Sequence, residues 1–290
     1  MPLDGVGTAI VTPLTADGVD RSALARLVEH QIAAGVDFLV PCGTTGESPT
    51  LTDRERVQVI EHVVETVAGR VPVVAGTGTN DTPHSVAMTQ EARRVGATAC
   101  LAVSPYYNRP TQEGLYRHFR AMIDDGGLPA ILYHIPSRGS SPIDVETVAR
   151  VAAQGGVAGI KETGGVDRVS ELRLHAGVDV LSGDDGLTLP MMALGAVGVV
   201  SVASNVVPAD MVQLVKCAAK GDVAGARSVH ERLLPLFDAL FGETNPIPVK
   251  AALKIAGLLD DARVRLPLVD ASDDTAKRLR AALDALSAIA

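Results

Sequence analysis

Apolar residues recur along this chain in two rhythms. Short runs rich in β-branched residues, which suit a pleated strand, occur at 8–12, 38–42, 71–76, 99–104, 130–134, 158–161, 178–182 and 198–202. The stretches between them, such as 21–34, 53–68, 84–95 and 112–123, carry apolar side chains at threes and fours, the spacing of one helical face. The alternation predicts eight strand–helix cycles and a parallel α/β sheet covered by helices. Eight cycles favour closure into a (β/α)8 TIM barrel over an open doubly wound sheet. No dinucleotide fingerprint follows the first strand, and GTGTN at 76–80 is too short to be one.

Beyond position 202 the strand signals stop, and 208–290 reads as helices with apolar residues at threes and fours. The expected organisation is a barrel over 1–207 carrying the active site and a C-terminal helical extension over 208–290 packed on it. Of the 290 residues, 47% are hydrophobic and 21% charged, but no apolar run reaches the roughly 18 residues of a membrane span, so a soluble protein is expected. The opening MPLDGVGTAIVTP lacks a basic leader, an apolar stretch and a small-residue cleavage site, which points to the cytoplasm. A net charge of −8 without a basic stretch argues against nucleic acid or an anionic membrane and leaves a small molecule as the expected partner. Cys42, Cys100 and Cys217 lie far apart, and the seven histidines show no ligand spacing, so neither a disulfide framework nor a metal site is expected.

The active site of such a barrel lies at the C-terminal ends of its strands, and several scarce residues fall there. Lys161 ends the sixth strand in VAGIKETGG, Tyr133 the fifth in AILYHIPSRG, Thr44 and Thr45 follow the second in PCGTTGES, and Tyr106 and Tyr107 follow the fourth. Two readings of Lys161 stand side by side. Pointing outward, it pairs with Glu162; pointing inward, it loses hydration and its pKa falls. Free lysine, near pKa 10.4, is only about one part in a thousand neutral at pH 7.4, so a fall of two or three units multiplies the nucleophilic fraction by orders of magnitude. Such an amine forms a Schiff base with a ketone. GTTGE is either an ordinary strand-to-helix turn or a cradle of amides and hydroxyls for a carboxylate. Arg138, in the loop after Pro136, is either solvated or a clamp for a second carboxylate. The tyrosines are either packing aromatics or hydroxyl donors, and His134 reads as a hydrogen-bonded loop or core residue.

Taken in order, GTAIVTP, GTTGES, VAGTGTN, SPYYNRPTQEGLYRHF, LYHIPSR, GIKETGG, SGDD, GAVGVVSVASN and NPIPVKAAL resemble the dihydrodipicolinate synthase family, within the N-acetylneuraminate lyase superfamily of class I aldolases. The resemblance runs nearly end to end. It implies condensation of pyruvate with L-aspartate 4-semialdehyde to 4-hydroxy-tetrahydrodipicolinate, on the route to diaminopimelate and lysine, with no cofactor beyond the pyruvyl imine of Lys161. It further implies that Tyr133, Thr45 and Tyr107 form a hydroxyl relay, Tyr107 reaching into a neighbouring subunit. Thr44 and Thr45 would hold the pyruvate carboxylate and Arg138 that of the aldehyde, while the backbone of Gly183 and Val200 would line the pyruvate pocket. A homotetramer built as a dimer of dimers is expected on the same ground.

The chain departs from the family pattern in two places. The usual YNVPxRTG reads YHIPSRGS, with His134 for Asn and Gly139-Ser140 for Thr-Gly, in the loop that shapes the aldehyde pocket. The lysine feedback pocket of sensitive members is matched at Ser48, Asn80 and Tyr106 but holds Asp53, Arg56 and His84 in place of His, His and Glu, so inhibition by lysine is expected to be weak or absent. Competing readings are another pyruvate-dependent aldolase or dehydratase acting on a sugar acid or keto acid, and a silent keto-acid-binding barrel. Arg138 and GTTGE, where sialic-acid lyases tend to read GSTGE, speak against the first; Lys161, Tyr133, Thr45 and Tyr107 together speak against the second.

Overall fold

Successive side chains of a strand point to opposite faces, so closing a sheet into a barrel sorts each strand into an inner and an outer set. The computed structural model describes residues 3–288. Among them, eight parallel strands form the barrel: β1 (Gly5–Thr8), β2 (Phe38–Leu39), β3 (Val74–Gly76), β4 (Ala99–Val103), β5 (Ala130–His134), β6 (Val157–Glu162), β7 (Val180–Ser182) and β8 (Gly198–Ser201). Their order is β2-β1-β8-β7-β6-β5-β4-β3. The ring closes between β2 and β3 through a Leu39–Val73 bridge and a bond from Gly76 N to Pro41 O (2.9 Å).

Two apolar cores follow from the alternation. Phe38, Val74, Leu101, Ile131, Leu181 and Val200 fill the barrel, whereas Leu39, Ala75, Cys100, Leu132, Val180 and Val199 face the helices. The ring is α1 (Arg21–Ala34), α2 (Asp53–Val67), α3 (Thr82–Arg94), α4 (Gln112–Asp124), α5 (Val145–Ala152), α6 (Arg168–Glu171), α7 (Thr188–Ala193) and α8 (Pro208–Ala219), with α8 packed on α1 and β1. Helices α9 (Val223–Leu240), α10 (Ile247–Ile255) and α11 (Asp273–Ser287) follow, α9 lying on α8 and α11. Local signals set several helix starts. Thr52 caps α2 in a reciprocal box, its Oγ1 accepting from Glu55 N (3.3 Å) while its N donates to Glu55 Oε2 (2.8 Å).

The (β/α)8 barrel is as expected, but the first strand starts three residues earlier than predicted and stops at Thr8. Gly5 and Gly7 look like strand breakers in the sequence. In the fold a Cβ on Gly7 would sit 2.0 Å from the Phe38 ring, so glycine is what lets that ring fill the barrel floor. Residues 9–13 stay buried beyond the regular ladder, with Ala9 N donating to Ser201 O (2.9 Å). A hairpin of Leu14–Thr15 with Gly18–Val19 was not foreseen. Among the described residues, no helix is long and apolar enough to cross a membrane.

Candidate active site

Tyr133 on β5 and Lys161 on β6 are register partners, so both side chains enter the barrel at the same level. Lys161 is 5% exposed and Tyr133 4%, and the lysine Nζ lies 4.4 Å from the centre of the phenol ring. Among the described residues nothing hydrogen-bonds that Nζ. Burial brings the amine down to about 8; the Asp185 carboxylate opposes the fall and the Arg138 guanidinium adds to it. At that value about a fifth of the amine is neutral at pH 7.4. Glu162 is no partner to it. One residue further along β6, its carboxylate faces the helix side and takes His134 Nδ1 (2.6 Å) and Arg168 Nε (2.9 Å). His134 is thus a buried, hydrogen-bonded residue, and the outward reading of Lys161 is excluded. Gly183 belongs to the same packing, because a Cβ there would lie 2.9 Å from Lys161 Cε.

The loop after β2 brings the two threonines to the barrel mouth. Its amides at Gly46, Glu47 and Ser48 are used inside the turn, whereas those of Thr44 and Thr45 have no acceptor among the described residues. Adjacent loop residues diverge, and the two hydroxyls have different neighbours. Thr44 sits beside the Tyr133 phenol, which burial pushes up to about 12 against the pull of Arg138 and of that hydroxyl. Thr45 Oγ1 instead accepts from Asn245 Nδ2 (2.9 Å). The loop is pinned below, where a Cβ on Gly46 would come 2.9 Å from Cys42 N. It is pinned above by Glu47, which is buried, pairs with buried Lys250 of α10 and accepts from Arg265 N (3.0 Å).

These groups surround a cavity of about 520 Å³ at the C-terminal ends of the strands. Thr44, Thr45, Tyr133, Arg138, Lys161 and Gly183 line it together with Asp184, Val202 and residues 241–245. Arg138 Nη2 donates to Asn245 O (3.2 Å), which fixes the guanidinium at the rim. Val200 is fully buried in the inner core beneath the cavity, and it is Val202 that lines it. Tyr107 stands apart: it is 88% exposed, at φ 72°, and takes no part in the lining. Sequence reasoning missed Asn245, the Glu47–Lys250 pair and Asp185. The last accepts from Val202 N (3.1 Å) and Ala203 N (2.8 Å), and burial pushes its carboxyl up to about 6. GTTGES, NPIPVKAAL and SGDD were the only signals for these residues, and none says what it touches. Among the described residues no cluster of three or more His, Cys, Asp or Glu could hold a metal ion.

A partly neutral amine, a protonated phenol and a guanidinium around one barrel mouth define a class, the lysine-dependent (class I) aldolases of (β/α)8 architecture. Within it, the chain belongs to the dihydrodipicolinate synthetase family, whose model matches residues 2–286. It is similar to the 4-hydroxy-tetrahydrodipicolinate synthase of Syntrophus aciditrophicus, with 48% identity covering 95% of this chain and 96% of that one. The protein of the same name from Aquifex aeolicus is 47% identical, with 95% of each chain covered. The crystal structure of dihydrodipicolinate synthase from Aquifex aeolicus superposes with a TM-score of 0.96, at 45% identity and 98% coverage of both chains.

Proposed function

We propose that this chain condenses pyruvate with L-aspartate 4-semialdehyde, giving 4-hydroxy-tetrahydrodipicolinate for diaminopimelate and lysine biosynthesis. The observation that carries the reading is the buried, unpartnered Lys161 amine facing Tyr133 across a cavity rimmed by Arg138. Lys161 attacks the pyruvate ketone, water leaves, and the imine loses a methyl proton to become the enamine that adds to the aldehyde; the amino group of the semialdehyde then attacks the imine carbon, closing the ring and releasing the Lys161 amine. The imine itself is the electron sink, so no external cofactor enters. Tyr133, held protonated by burial, is the proton donor and acceptor for these steps.

The relay read from the sequence ran through Thr45. Its hydroxyl is occupied by Asn245, and the neighbour of the Tyr133 phenol is Thr44, which supports Thr44 as the relay residue and Thr45 as a ligand of the pyruvate carboxylate. The free amides of Thr44 and Thr45 serve the same carboxylate, Arg138 takes that of the aldehyde, and Gly183 and the Val200–Val202 backbone shape the floor. Tyr107 completes the relay of a neighbouring subunit; its exposure and left-handed backbone favour that role. The enzyme is accordingly a homotetramer built as a dimer of dimers, acting in the cytoplasm. The eight strands fall within the expected barrel region, whereas the eighth covering helix, α8, falls in the expected extension; the helices after α8 pack on the barrel, and the segment holding Asn245 closes one side of the mouth.

Borohydride reduction in the presence of pyruvate, followed by peptide mass spectrometry, tests the chemistry. A single adduct on Lys161, lost in Lys161→Ala, is expected. Folded protein that forms none would remove the aldolase reading. Offering aspartate semialdehyde, sugar aldehydes and N-acetylmannosamine beside pyruvate then tests the partner, and faster turnover of either of the latter two would overturn the assignment.

A further inference from the structure

Asn245 arrives at the mouth from the chain's C-terminal region, 200 positions away from the threonine it touches. It is 9% exposed, and its Oδ1 is buried without a partner. A buried amide kept only for stability would ordinarily have both ends satisfied. Its placement is nevertheless fixed from two sides, by Arg138 Nη2 on its carbonyl (3.2 Å) and, five residues on, by Lys250 on Glu47 of the Thr45 loop.

We propose that Asn245 is a positioning residue that sets the polarity of the Thr45 hydroxyl, making Thr45 a donor toward the carboxylate of the keto acid. The argument rests on the pyruvate reading above and on counting donors. A threonine hydroxyl has one proton to give and lone pairs that accept, whereas an amide N–H only donates. Since Asn245 Nδ2 donates to Thr45 Oγ1, the threonine proton cannot lie along that bond. It has no acceptor among the described residues, and Thr45 lines the cavity. A carboxylate accepts only, so the preset proton suits it and costs no reorientation when the keto acid arrives.

The test separates this role from a merely structural one. Asn245→Ala is expected to raise both KM and the calorimetric Kd for pyruvate by about tenfold, the loss of one hydrogen bond to a charged group, and to leave the aldehyde KM within about twofold. In a Thr45→Val background the same substitution should add nothing, because Asn245 acts through that hydroxyl. Asn245→Asp keeps the shape and covers the case in which Ala disturbs folding. Its carboxylate takes the Thr45 proton and repels the substrate, so its effect on pyruvate should exceed that of Ala. Additive effects of Asn245→Ala and Thr45→Val, parallel rises in both KM values, or unchanged pyruvate affinity overturn the proposal. Failure to trap pyruvate on Lys161 in the parent protein counts against the catalytic reading alone, since the calorimetric Kd still reads the Asn245 effect.

Discussion

Among the described residues two lysines are buried, and their surroundings differ in one respect. Lys250 is satisfied: Glu47 pairs with it, and Arg263 O accepts from its Nζ (2.8 Å). Lys161 has an aromatic face 4.4 Å away and, among the described residues, no hydrogen-bond acceptor. Burial lowers both amines. Only at Lys250 does a contacting carboxylate hold the proton in place, and the result is a clamp between α10 and the Thr45 loop. At Lys161 the missing partner leaves a fraction of the amine neutral and nucleophilic. A buried charge with its partner is structure, and one without is chemistry.

The largest expected effect breaks the two apart by sign. Lys161→Met should abolish turnover and the borohydride adduct while making the fold more stable. The sign follows from linkage: the folded pKa, about 8, lies below the unfolded 10.5, so folding disfavours the protonated form. The penalty is full below pH 8, shrinks as pH rises from 8 to 10.5, and is gone above. The gain at neutral pH is of order 1–3 kcal/mol by denaturant titration and should vanish toward pH 10.5. Lys250→Met acts oppositely. It strands the Glu47 carboxylate in the interior and should cost about 3–5 kcal/mol, and adding Glu47→Leu should recover most of that. Equal signs for the two single substitutions would defeat the comparison.

The same contrast shows what the sequence could carry. The strand-end positions of Lys161 and Tyr133 were legible from the strand pattern and the barrel's single active face, but the inward direction of Lys161 stayed open in the residues alone and was decided by the family resemblance. His134 and Glu162, one position on, face the other way by a strand's period of two. Lys250 and Asn245 were not legible in their roles: their partners, Glu47 and Thr45, are 203 and 200 positions away, and only closure of the barrel mouth brings them together. The different neighbours of the Thr44 and Thr45 hydroxyls were hidden for a local reason, since side chains in a loop follow no period. Tyr107 was named only through the family resemblance, because its proposed site belongs to another copy of the chain. The first strand was misplaced because glycine reads as a breaker until the Phe38 ring that needs the space is known.

A smaller effect sharpens the electrostatics around Lys161. The rate of pyruvate trapping should rise with pH through about 8 and level off above, as the amine loses its proton. Arg138 is one of the groups that lower that pKa, so Arg138→Gln should move the midpoint to higher pH. The same change should raise the aldehyde KM by about tenfold or more, because a charge-assisted contact is lost. A midpoint that stays put or moves to lower pH in Arg138→Gln would show that the guanidinium is too well solvated to act on the amine.

The smallest effect expected is that of lysine as an inhibitor. A second cavity, of about 380 Å³, adjoins the catalytic one, with Thr44, Ile135 and Arg138 lining both, and Ser48, Asp53, Arg56, Asn80, His84 and Tyr106 among the residues that line the rest. Arg56 is 4% exposed, donates from Nη2 to Gly76 O (2.9 Å), leaves Nε without a partner and forms no ion pair among the described residues. Asp53, the one carboxylate of that lining, is already engaged by His84 Nε2 (2.9 Å). Lysine brings two ammonium groups and one carboxylate, so the fixed Arg56 guanidinium attracts only its carboxylate and repels the ammonium groups, for which Asp53 alone is left. Initial rates at subsaturating pyruvate should stay nearly flat as lysine is raised to concentrations comparable with the substrates, and Arg56→His should increase what inhibition there is. Half-inhibition of the parent enzyme by micromolar lysine would mean that the Arg56 charge does not face the ligand.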